Sequence, residues 1–452
     1  MRQIIRVEAR RLQRIHCSVS RRRAVLAGLG TLIATTLGAG PSALAASYQV
    51  YTSSTIAASS LNAGDGYCSL AEAVASVNQG SPAYNCTDFA PGSAALITLI
   101  EAPNKPYGNN PYVIGTLTLN RSVRIQTSEE GFIAYVNSTG AFAFKVMSGA
   151  DVNFYGLNIA HTGTSSGRVI WNEGTLAMSN STVRTGNVTT EPLGIGGGIY
   201  NKGTLSLSSC TIQSNQAKKG AGIYNDSGQI PNLSDSVIST NVATLAGGGI
   251  YNVWSTPVAG AAPANIQGSN MTIFNNSAKA GGGVFNRGLI DLYSSIIYFN
   301  SVSGSGSGEM CGSGQSCDGS GGGVLTVANA SNTYARVNFQ SGTRIEDNSA
   351  SVRGGGFYSA GQLNLGDVRI ANNRASTGAA IYGAFSGTNT YCSIEAGASS
   401  ITGNTTVPTG PGHYSIVDLT SDAPHCFFTG VTASGNSSPQ CKSGSATPSC
   451  PQ

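Results

Sequence analysis

The sequence predicts an all-β fold, a right-handed parallel β-helix of about eleven coils closed by a short N-terminal capping helix. Three observations predict it. A hexapeptide typified by Gly-Gly-Gly-Ile-Tyr-Asn at residues 196–201 returns along the chain. Each return leads into an alternating apolar run and then an aliphatic-x-x-Asn step. The spacing between returns leaves no room for a helix as well as the strands. The stations begin at residues 167, 196, 220, 247, 281, 321, 354 and 378, so the smallest unit is 24 residues and the longer gaps carry insertions. A fixed period of this size signals a solenoid.

Each unit is expected to supply three short strands. The first is the Ile-Tyr-Asn of the hexapeptide, the second an alternating run such as Gly-Thr-Leu-Ser-Leu-Ser at 203–208, and the third ends in the asparagine step. That step gives Asn215, Asn241, Asn276, Asn300, Asn348, Asn373 and Asn404. Coils stack about 4.8 Å apart, so these amides can bond up the stack, each bond contributing about 1 kcal/mol. The glycines permit a sharp corner at positive φ; no helix follows them, so they are no phosphate loop. The residue before the aromatic is always apolar. Alternation therefore expects the aromatic column Trp171, Tyr200, Tyr224, Tyr251, Phe285, Leu325, Tyr358 and Tyr382 to face outward.

Taken in order, residues 1–45 read as an export signal, with eight arginines, an apolar run at 24–37 and Ala43-Leu44-Ala45 as a cleavage site. Ser20 followed by Arg21, Arg22 and Arg23 resembles a twin-arginine signal; ordinary secretion fits equally. Eight of the 25 basic and one of the 21 acidic residues lie in this segment, leaving 17 against 20, a net charge of −3. That balance gives no basic face for nucleic acid, and no later stretch is long and apolar enough to span a membrane. The expected divisions are 1–45 signal peptide, 46–165 cap and irregular first coils, 166–438 regular β-helix and 439–452 a disulfide-tied tail.

The capping helix is expected in Cys-Ser-Leu-Ala-Glu-Ala-Val-Ala-Ser-Val-Asn at 68–78. Ser69 and Glu72 form a capping box, and Leu70, Ala73, Val74 and Val77 share one face. Such a helix covers the open end of the first coil. Glu72 is therefore read as a cap and not a catalytic acid. This Cys-Ser-Leu-x-Glu-Ala pattern, beside the Gly-Gly-Gly-Ile-Tyr-Asn and aliphatic-x-x-Asn repeats, resembles the secreted bacterial right-handed parallel β-helix proteins with a CSLREA-type N-terminal motif. More distantly, the repeats resemble those of polymorphic outer membrane proteins. Ala71 departs from the motif, which usually has arginine there. The resemblance covers essentially all of the chain after the signal; it implies the fold and an exported location.

The cysteines agree with export. Neighbours in sequence that could pair are Cys68 with Cys86, Cys311 with Cys317, Cys392 with Cys426, and Cys441 with Cys450. Cys210 is left over at an inward position shared in other coils by Ser236, Met271 and Ser295, and reads as a buried, inert thiol.

Three features could carry function. The aromatic column could stack sugar rings. Insertions at 253–264, with Trp254, and 327–335, with Tyr334, leave the same corner two coils apart and could frame a cleft, with Trp254, Tyr334, Tyr251 and Tyr358 as ligand-binding candidates. Arg344, Glu346 and Arg369 gather on two successive coils, as a salt-bridge lattice or as the catalytic residues of an enzyme. His161, His413 and His425 have no triad or metal spacing, and neither metal nor cofactor is expected. The function expected is an exported structural or adhesive β-helix protein that binds glycans or a host or matrix surface, on the cell surface or secreted. The alternative is a polysaccharide lyase or glycoside hydrolase acting on an acidic polysaccharide.

Overall fold

A computed structural model describes residues 47–51, 68–86, 95–100, 111–128, 133–254, 264–304, 309, 311, 316–328, 335–384, 391–395, 399–407, 417–419, 426–428, 431–436 and 441–442. They form a parallel β-helix. One coil runs through Ile199–Asn201, Thr204–Ser208, Thr211–Gln213 and Gln216–Lys219 before the chain returns to Ile223–Asp226 one layer on. Stacked coils thus generate four sheets. Sheet I holds the hexapeptide strands and sheet III the asparagine-step strands, twelve each; sheet II, between them, has thirteen. Sheet IV, with seven strands, corrects the expectation of three strands per coil. Its members follow the ladder asparagine and are as short as Ser277–Ala278, too brief to display an alternation.

Successive strands pair in parallel and in register, Ile199 on Ile223 on Ile250 on Val284. Inward side chains such as Ile199, Leu205, Leu207 and Ile212 are fully buried in one continuous core. Each contributes about 1.5–3 kcal/mol by leaving water. The asparagine ladder forms as expected. Asn300 donates from its backbone and side-chain nitrogens to Asn348 Oδ1, both at 3.0 Å, and from Nδ2 to the Ile273 carbonyl of the preceding coil at 2.9 Å. A second ladder joins the hexapeptide asparagines, Asn172 Nδ2 donating to Asn201 at 2.7 Å, Asn201 to Asn225 at 2.7 Å and Asn225 to Asn252 at 2.8 Å. Within both ladders each buried amide bonds to its copy one coil away; at the end of the second, Asn172 donates but its buried Oδ1 has no hydrogen-bond partner among the described residues.

Two glycine positions explain the hexapeptide. Gly196, at φ +64°, has no room for a Cβ, which would lie 2.9 Å from the Cα and Cβ of Tyr200. Gly198 faces the ladder, where a Cβ would come within 2.8 Å of Asn215 Nδ2. The helix spans Leu70–Gln79 with the reciprocal Ser69–Glu72 capping box, the Ser69 N–H donating to Glu72 at 2.9 Å. Leu70, Ala73, Val74 and Val77 join the solenoid core, so the helix covers the first coils.

Candidate functional site

The aromatic column is where the structure departs most from expectation. Its side chains leave the inner core, as alternation requires, yet they are not in solvent. Tyr251 is 3% exposed and Tyr358 0%, so neither presents a ring face to a ligand. The segment preceding each hexapeptide runs over the rings, with Ala246, Ala280, Ser320, Arg353 and Thr377 bridged in parallel along it. Ala246, Ala280, Cys311 and Cys317 pack with Tyr251, Phe285, Leu325 and Tyr358 as a second core. Ring centroids follow one another at 5.9 Å from Tyr200 to Tyr224, 5.0 Å to Tyr251 and 4.7 Å to Phe285. Such stacking stabilises by about 0.5–1.5 kcal/mol per pair beyond burial. The column is a packing element.

Polar groups close its outer side. Tyr200 donates to Asp226 at 2.8 Å. Tyr251 donates to Glu309 Oε2 at 3.3 Å, and that carboxylate also pairs with Lys219 and, at 3.3 Å, with Arg287. Burial, with the neighbouring carboxylates second, pushes the Tyr200 and Tyr224 phenols well above the usual tyrosine range; Tyr251 follows for the same reason. Burial takes Tyr358 up to about 12 against the pull of Arg353.

The outer face of sheet III is different in character. Its outward residues vary from coil to coil, Thr211 and Gln213 in one, Val237 and Ser239 in the next. Then Phe274 and Tyr298 stand on adjacent strands, stacked at 5.2 Å between centroids and 14° between planes. Phe299 leans against Tyr298 at 5.2 Å and is 49% exposed. Its backbone is left-handed, at φ +52°. That corner precedes every ladder asparagine, where it otherwise holds Ser214, Thr240, Asn275, Asp347, Asn372, Gly403 or Gly435, and Thr185 takes it before Gly186. An aromatic there is the exception.

On the next strands of the same face, Ile296 aligns with Arg344 and Arg344 with Arg369, while Tyr298 aligns with Glu346. Arg344 donates to Glu346 from Nε at 3.0 Å and from Nη2 at 2.5 Å, and Arg369 Nε lies 2.9 Å from Glu346 Oε1. The carboxylate side chain is 10% exposed, the guanidinium-bearing side chains 45% and 51%. Two cations thus sit in front of one buried anion, next to an aromatic platform. The spacing brought Arg344, Glu346 and Arg369 together as expected. It gave no notice of Phe274, Tyr298 and Phe299, although bulky residues in the x positions of two consecutive asparagine steps were the available signal.

Trp254 is half-buried at the end of the strand Ile250–Val253. Tyr334 and most of the two insertions that would frame a cleft lie outside the described residues, as does Cys450. Cys68 pairs with Cys86 and Cys311 with Cys317, at Cα separations of 4.9 and 5.0 Å. Backbone register sets Cys392 beside Cys426 on neighbouring strands, whereas Cys441 aligns with Val417. Cys210 is buried, its thiol pushed up to about 11 by desolvation, which makes it a poor nucleophile at neutral pH. Burial holds the His161 imidazole below its usual range, partly offset by a hydrogen bond to the Gly140 backbone. Among the described residues no helix is long and apolar enough to cross a membrane.

No family model, curated protein or solved structure matches this chain. The fold and the surface therefore stand on the chain's own geometry.

Proposed function

We propose that the protein is an exported scaffold whose sheet III face binds glycans of a host or matrix surface without cleaving them. One observation carries this reading: Phe299 keeps a half-exposed aromatic ring on a left-handed corner that the other coils fill with small polar residues or glycine. The backbone choice costs about 1–2 kcal/mol in a non-glycine residue, and a ring left half in water recovers little of it. Strain kept at an exposed position is a pointer to use. Beside Phe274 and Tyr298, which stack on each other, the exposed Phe299 ring completes an apolar cluster against which the C–H groups of a sugar can pack.

Engagement of both Glu346 oxygens by arginine favours holding over proton abstraction, because a base needs a free lone pair aimed at its substrate. The signal-like residues 1–45 and the two cysteine pairs support export. The test is a glycan array probed with the purified protein, with reducing-sugar and unsaturated-product release measured on every hit. Binding without release is expected, weakened about tenfold by Tyr298→Ala, the effect of losing one good aromatic contact. Product release abolished by Glu346→Gln or Arg369→Gln would replace this reading with a polysaccharide lyase or hydrolase.

A further inference from the structure

Building on the glycan-binding reading, we infer that the ligand is a uronate-containing glycan, laid diagonally across the sheet III face with a carboxylate on Arg369 and a neighbouring sugar ring on Tyr298 and Phe299. The charge arrangement is the first ground. On the strand face itself Arg344 and Arg369 face solvent while the single Glu346 between them is buried, so the outermost charges there are the two guanidiniums and their shared counter-charge lies beneath.

The second ground is the geometry of the donors. Arg369 contacts Glu346 through Nε, and its Nη1 and Nη2 groups have no partner among the described residues. That terminal edge is the fork that meets a planar carboxylate through two parallel hydrogen bonds. The contact with Glu346 holds the guanidinium in place, so less side-chain freedom is lost when the ligand arrives. Arg344 commits Nε and Nη2 to Glu346 and adds charge more than a second fork. Asp347 and Asp367, at the adjoining corners, each already have a partner, and Arg374 is exposed on the next sheet.

Spacing supplies the third ground. Phe274, Tyr298, Glu346 and Ala371 occupy one register line across four successive strands, with Arg369 two residues from Ala371. At about 4.8 Å per strand and about 3.3 Å per residue along it, two strands and two residues put the platform and the Arg369 side chain roughly 12 Å apart, on a diagonal across the face. A saccharide of two or more residues can reach both. A lone monosaccharide cannot.

Calorimetric titration with a galacturonate oligosaccharide, its carboxyl-reduced neutral counterpart and a sulfated neutral oligosaccharide tests the inference. The uronate is expected to bind at least tenfold tighter than the other two, with an affinity that falls as salt rises. Arg369→Gln and Arg369→Lys should each remove that advantage, the lysine because it keeps charge but lacks the fork, and both should melt like the parent protein. Equal affinity for the reduced oligosaccharide, preference for the sulfated one, or an unchanged uronate affinity in both variants would overturn the acidic ligand. If Tyr298→Ala still weakened binding in that case, the glycan-binding reading would survive alone; loss of all saccharide binding would remove both.

Discussion

Phe299 and Gly247 share a left-handed backbone for opposite reasons. Gly247, at φ +64°, sits where a Cβ would come within 2.8 Å of the Tyr251 Cβ and 2.6 Å of the Ile250 carbonyl. Gly342 has a similar φ of +76° with open space around it. The pair separates backbone strain from collision. Gly342→Ala is expected to destabilise by about 1 kcal/mol, and Gly247→Ala by roughly 3 kcal/mol, since overpacking adds to the strain; urea unfolding measures both, and equal losses would show that the collision with the Ile250 carbonyl and the Tyr251 Cβ is unimportant. Phe299 runs the other way. Replacing it with asparagine, which tolerates the conformation, should raise stability by about 1 kcal/mol while weakening glycan binding. A variant both less stable and equally competent in binding would mean the ring is packed for structure. Neither residue's role was legible from its type alone. The glycine was readable as a corner but not as a contact with the aromatic four positions on, because that contact depends on how the chain folds back over sheet I.

At the scale of elements, the period, the asparagine step and the Ser69–Glu72 box were legible, since each is a local pattern that dictates its own hydrogen bonds. The burial of the aromatic column was not. Alternation says only that a side chain leaves the inner core, and the covering segment comes from residues that have no pattern of their own. The second asparagine ladder was hidden by the same reasoning, its members being counted as part of a corner motif. Burial of the phenols has a measurable consequence. Unfolded tyrosine ionises near pH 10, whereas Tyr358 is raised to about 12 and Tyr200, Tyr224 and Tyr251 are also raised. The folded state therefore holds protons that the unfolded state releases. This contribution to stability is fully present below about pH 10 and is lost as pH rises through the folded values. Absorbance at 295 nm should show exposed tyrosines ionising first and the column ionising only as the β-sheet circular dichroism disappears. Full ionisation with the fold intact would contradict the packed column.

For the molecule as a whole, a solenoid distributes stability over neighbouring coils, which leaves its outer faces free to vary. Sheet I's face is closed by its covering segment and the Cys311–Cys317 pair, whereas sheet III's face stays open between Phe274 and Arg369. Sequence order favoured the first because its aromatics recur at every station but that of Leu325; the second depends on three residues in two coils, and periodicity is blind to an exception. The division between a packed aromatic column and an exposed aromatic-arginine face is the central claim. Hydroxyl-radical footprinting, with and without a saturating galacturonate oligosaccharide, tests it directly. Without ligand, Tyr298 and Phe299 should be oxidised readily and Tyr251, Phe285 and Tyr358 hardly at all; with ligand, protection should appear at Tyr298 and Phe299. Rapid oxidation of Tyr251 and Tyr358, or ligand protection centred on them, would contradict the account and return the binding surface to sheet I.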